Sequence, residues 1–191
     1  MREEKSSLRG LRISPETAAL VLVDWQERLE PAMEAERLAF SRRNAAILLQ
    51  AAAETGMPVL ATEQYPKGLG NTVAPLRKLL PMAPIAKTSF SCTESGRFMD
   101  ALTALERRIV VLAGMETHVC VWQTARELRV RGYAVHVVAD AVLSRTAENR
   151  AIGLGMMKAA GCYHTSAEVI AFDLVRGAKH PAFKAISKLV R

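Results

Sequence analysis

Apolar residues follow two patterns that alternate along the chain. Short, nearly continuous runs occur at AALVLVD (18–24), MPVLAT (57–62), PIAKT (84–88), RIVVLAG (108–114), YAVHVVAD (133–140) and a weaker GCYHTS (161–166). Runs of this length, rich in valine and leucine, read as strands buried on both faces. Between them lie longer stretches of helical periodicity at 34–55, 94–106, 117–131 and 146–160, and two more at 167–176 and 181–190 close the chain. Gly56, Gly132 and Gly161 each follow a helical stretch, where a left-handed cap is favoured. Strands alternating with helices predict βαβ units. The expected fold is therefore a three-layer α/β/α, Rossmann-like domain on a six-stranded parallel sheet. No internal repeat or linker divides residues 1–191, so one domain is expected, with about 1–13 as an N-terminal extension.

Composition narrows the class. With 191 residues and 50% apolar content, the chain buries a core without staples. Its three cysteines, at 92, 120 and 162, form no disulfide framework or CxxC pair, and free thiols fit a reducing compartment. The opening segment is charged and its apolar run stops at Asp24. No run approaches a membrane span. The expectation is a cytoplasmic protein with no membrane partner. The net charge of +7 raises nucleic acid as a partner. The basic residues are scattered, however, and do not alternate with aromatics as a stacking platform requires, so a solvated surface is the preferred explanation.

In open parallel sheets ligands bind beyond the carboxyl ends of the strands. Strand one ends in Asp24, strand three carries Lys87, and strand four leads through Gly114 into a helix start at Cys120. An acid, a base and a thiol thus converge on one edge. In a first helical turn the unpaired amides favour an anion. Such a setting, with a lysine nearby, lowers a thiol from about 8.5 toward neutrality. Asp24 is then placed to accept the thiol proton. Core packing of a small apolar cysteine is the alternative.

The segments VLVDWQ, KTSFS and GMETHVCVWQTARELRVRGYAVHVVADAV resemble the isochorismatase-like cysteine hydrolase superfamily. TEQYPKGLGNT (62–72), TSAEVIAFDLV and HPAFKAISKLV bring the resemblance nearer to the isochorismatase domain-containing proteins. The resemblance implies a catalytic triad of Asp24, Lys87 and Cys120. It also implies an oxyanion hole from the backbone amides of Glu116 and Cys120, with a cis peptide between Met115 and Glu116. Trp25, Gln26, Tyr65, Thr117 and His118 are candidate substrate-binding residues, although a helix-start histidine also bonds readily within the protein. The Asp-x-His metal motif of nicotinamidases is missing after strand two, and all four histidines lie downstream, so neither metal nor cofactor is expected. Isochorismatases proper typically lack the nucleophilic cysteine present here.

Together these residues predict a metal-free cysteine hydrolase acting on a small amide or related C–N substrate through a thioacyl-enzyme. The alternatives are a catalytically silent interaction protein and a nucleic-acid-acting protein. The family resemblance and the apolar C-terminal segments predict a homo-oligomer, dimer or larger.

Overall fold

The computed structural model describes residues 10–191, so residues 1–9 of the expected extension lie outside the described residues. The strands are β1 (Ala18–Val23), β2 (Val59–Gln64), β3 (Ile85–Lys87), β4 (Ile109–Met115), β5 (Ala134–Leu143) and β6 (Tyr163–Thr165). They form one six-stranded sheet in the order β3-β2-β1-β4-β5-β6, and every pairing is parallel. The longer helices are α1 (Ala35–Thr55), α2 (Gly96–Ala104), α3 (Trp122–Val130), α4 (Ala147–Ala159), α5 (Ala167–Val175) and α6 (Phe183–Leu189). This is the α/β architecture that the alternating pattern predicts.

Alternate residues of β1 feed the two halves of the core. Ala18, Leu20 and Leu22 join Leu48 of α1, Ile170 and Leu174 of α5 and Ile186 of α6. Ala19, Val21 and Val23 join Phe98 of α2, Val121, Leu128 of α3 and Met157 of α4. Because α5 and α6 pack inward, most of the apolar surface expected of the C-terminal segments is already buried within the subunit; Val169 remains 54% exposed.

Two strand boundaries differ from the sequence pattern for physical reasons. β2 starts after Pro58, which has no amide to donate, and continues through the polar Glu63 and Gln64 because both side chains find buried partners. β5 runs on to Leu143 because a register shift lets Val142 and Leu143 resume pairing with Gly114 and Met115.

The sheet order reverses between β1 and β4, which leave in opposite directions. That crevice is the switch point where open α/β sheets bind ligands. Gly114 makes the close approach possible: at φ 135° it lies against β1, where a Cβ would collide with the Val23 carbonyl oxygen.

Candidate active site

Asp24 follows β1 directly in a left-handed conformation, φ 47°, that a non-glycine residue adopts only when its surroundings hold it there. Its amide donates to Thr62 O at 3.1 Å. Its carboxylate accepts from Thr62 Oγ1 at 2.7 Å and from Lys87 Nζ at 2.6 Å. Both side chains of the Asp24–Lys87 pair are wholly buried, at 0% exposure. Lys87 Nζ also donates to Gln64 Oε1 at 2.8 Å, Phe90 O at 3.0 Å and Ser89 O at 3.1 Å. An ammonium has three hydrogens, so these four acceptors leave Lys87 no donor for a ligand. It acts on the site through its charge and its grip on Asp24.

Cys120 lies in a π-helical turn, Thr117–Val121, that leads into α3, and is 7% exposed. The peptide bond between Met115 and Glu116 is cis. The thiol responds to the same ion pair. Burial pushes it up most strongly, the Asp24 charge adds to that, and Lys87 pulls it down; Asp24 also raises it by accepting a hydrogen bond from the thiol. The sequence-based expectation of a thiol brought toward neutrality is therefore corrected. The turn is at a helix start, but removal from water outweighs the pull of the lysine.

The five substrate-binding candidates separate. Tyr65 is 54% exposed and, with Lys87, Thr88, Ser89 and Glu94, borders a cavity of about 520 Å³. His118 is half-buried, and its Nδ1 lies 3.0 Å from Ser144 Oγ. Trp25 is corrected from pocket wall to core: it is fully buried and its Nε1 donates to Glu30 Oε1 at 2.9 Å. Gln26 is also fully buried and straps the β2 loop. Its Oε1 accepts from Gln64 N at 2.7 Å while its Nε2 donates to Gly70 O at 2.7 Å and Gln64 O at 3.0 Å. Thr117 is buried, and its hydroxyl has no partner among the described residues.

Thr62, Gln64 and Cys92 are additions that the sequence did not single out. The one visible signal for Thr62 and Gln64 is the polar run Thr62–Gln64 at the end of a buried strand; Cys92 has none. Among the described residues no group of three or more His, Cys, Asp or Glu is arranged to hold a metal ion. No helix among them is long and apolar enough to cross a membrane.

Comparison with known proteins agrees with this architecture. The isochorismatase domain model matches residues 18–169. The chain is 39% identical over 181 residues to isochorismatase domain-containing protein 1 of Salmo salar, covering 93% of this chain and 62% of that protein's length. Among solved structures, the MAR1 ribonuclease of Caenorhabditis elegans superposes with a TM-score of 0.87 at 39% identity, over 94% of this chain and 92% of that one. The YcaC gene product of Escherichia coli, described as an octameric hydrolase of unknown specificity, superposes with a TM-score of 0.86 at 25% identity, over 94% and 89%. The chain belongs to the isochorismatase family.

Proposed function

We propose that this protein is a metal-free cysteine hydrolase that cleaves a small amide or related C–N substrate. Family membership supports a hydrolase. The observation that carries the finer reading is the buried Asp24–Lys87 pair acting on the Cys120 thiol at the sheet's switch point. The raised thiol is consistent with a Cys120 that starts protonated and, in this reading, yields its proton to Asp24 as sulfur attacks the carbonyl carbon. The backbone amides of Glu116 and Cys120 hold the tetrahedral oxyanion, and losing one such donor typically costs about 10²–10³ in rate. Asp24 returns the proton to the leaving nitrogen as the C–N bond breaks, giving a thioester. It then draws a proton from water, which attacks the thioester, releases the acid and restores the thiol. A screen of small amides with Cys120→Ala as blank tests this; equal turnover by the blank would overturn it.

A second reading is favoured by the C. elegans structure, which is described as a ribonuclease, and by the net charge of +7. Against it, the basic residues are scattered along the chain and do not alternate with aromatics as a stacking platform requires. RNA cleavage that survives purification, disappears in Cys120→Ala and falls steeply with salt supports that reading instead. The description of YcaC as octameric supports a homo-oligomer here too; a monomeric mass in light scattering would exclude it. The reduced thiols fit cytoplasmic residence.

A further inference from the structure

The last three residues of β2 are polar, and each has a fixed partner. Glu63 serves the loop: its Oε1 accepts from Thr72 N at 2.6 Å, Thr72 Oγ1 at 2.8 Å and Arg77 Nη1 at 3.1 Å. Thr62 and Gln64, two apart and so on the same face of the strand, serve the ion pair. Thr62 grips Asp24 twice, through the carbonyl that takes the Asp24 amide and through the hydroxyl on Oδ1.

We propose that Thr62 is a positioning residue that sets the acid–base behaviour of Asp24, with its hydroxyl oriented by Cys92. The inference rests on the cysteine-hydrolase reading. The direction of the hydrogen bonds follows from chemistry. An ionised carboxylate only accepts, and a threonine hydroxyl has one hydrogen, so the 2.7 Å contact is Thr62 donating to Asp24. Cys92 Sγ, 3.6 Å from the same hydroxyl, must then be the donor to it. Cys92 is suited to that: it is fully buried, its amide is fixed on Thr124 Oγ1 at 3.0 Å, and burial pushes its thiol up to about 11. The result is a directed chain, S–H to O–H to carboxylate.

That chain has two effects. Oδ1 is tied to Thr62 and Oδ2 to Lys87, so the carboxylate does not rotate, and its remaining lone pairs keep one direction toward the incoming proton. The second effect falls on proton transfer: the Thr62 hydroxyl lies on the carboxylate that must first take the thiol proton and then release it to the leaving nitrogen, so removing it changes the pH dependence of that transfer.

The test is the rate of Cys120 alkylation by iodoacetamide across the acid and neutral range, read by peptide mass spectrometry. It compares the wild type with Thr62→Val, Thr62→Ser and Asp24→Asn. Removing the hydroxyl in Thr62→Val moves the lower limb of the profile up by about one pH unit, the scale of a lost hydrogen bond to a carboxylate. Thr62→Ser, which keeps the hydroxyl, retains the wild-type limb. A Thr62→Val limb that stays or moves down overturns the inference. Thr62→Ala removes the same group with less bulk and is read in the same way if the valine protein does not fold. An Asp24→Asn profile identical to the wild type overturns the cysteine-hydrolase reading itself. A changed Asp24→Asn profile beside an unchanged Thr62→Val overturns the role of Thr62 alone.

Discussion

Gly153 of α4 packs directly against the main chain of His118: a Cβ on Gly153 would lie 2.8 Å from the His118 Cα and 2.9 Å from its nitrogen. The helix thus supports the turn that carries Cys120 from below, and the support consists of backbone on both sides, which does not yield as a side chain does.

Gly153→Ala should therefore displace that turn. Alanine is the better helix former by about 1 kcal/mol, but overpacking costs about 1–3 kcal/mol, so the steric effect wins. Gly155, on the same helix, would place a Cβ with nothing within 4 Å, and Gly155→Ala should stabilise by about 1 kcal/mol. Urea unfolding of the two variants, together with the alkylation rate of Cys120, checks this. Opposite signs in stability and a slowed Cys120 in Gly153→Ala alone are expected.

The Asp24–Lys87 pair gives a second expectation. Both partners are fully buried, so deleting one leaves an uncompensated charge. Lys87→Met should destabilise the protein by about 3–5 kcal/mol. Lys87→Met with Asp24→Asn should recover much of that, because the stranded carboxylate is gone. A single variant within about 1 kcal/mol of wild type in urea would mean that water or another cation reaches Asp24.

The sheet was legible in the chain because its strands are buried on both faces and read as unbroken apolar runs. Asp24 and Lys87 were legible as polar residues at the ends of such runs. Trp25 was misplaced for a related reason. Adjacency to Asp24 in sequence does not say which side of the sheet a side chain takes: the left-handed turn at Asp24 breaks the strand's alternation, and Trp25 joins Ala18, Leu20 and Leu22 in the core with α1 and α5. Thr62 and Gln64 were hidden because their roles depend on β2 lying beside both β1 and β3, a long-range fact. The state of the Cys120 thiol was misjudged because a helix start is visible in sequence and depth of burial is not.

His136 of β5 makes stability depend on pH. It is buried, its Nε2 donates to Gly10 O at 2.7 Å, and its ring packs against Tyr163, tilted by 32° with centroids 4.7 Å apart. Burial pushes the imidazole below its ordinary 6.5, partly offset by the Gly10 bond and the Asp173 charge. The folded state thus takes the proton less readily than the unfolded chain. Stability is full above about pH 6.5 and is lost as pH falls below it toward the lowered folded value. Urea midpoints at about pH 7 and about pH 5 should differ in the wild type and differ less in His136→Gln.

Turnover, once a substrate is found, should survive dialysis against a chelator. The loop after β2 offers Tyr65, Pro66 and Lys67 where a metal site needs carboxylate and imidazole, and a thiol with a base beside it attacks without a Lewis acid. Activity lost on chelation and restored by zinc or manganese would contradict this.

The three thiols give the sharpest test of the nucleophile. None is set up as a resting thiolate: burial pushes Cys92 and Cys162 up to about 11, and Cys120 is pushed up by burial and by Asp24. What differs is the route for the proton. Cys120 gives it to Asp24, whereas Cys92 donates to Thr62 and has no exposed surface, and Cys162 has the cationic Arg129 beside it rather than a base. Iodoacetamide near pH 7 should therefore label Cys120 first, with peptide mass spectrometry reading all three. Asp24→Asn has two opposed effects, losing the base and removing the charge that raises the thiol. At neutral pH the lost base should dominate and labelling of Cys120 should slow. In alkaline solution the lost charge should dominate and labelling should quicken, so the two profiles cross. A denatured control should bring the three rates together, which separates access from chemistry. If Cys120 is the slowest in the folded protein, or the profiles do not cross, the thiol is a core residue and the nucleophile lies elsewhere.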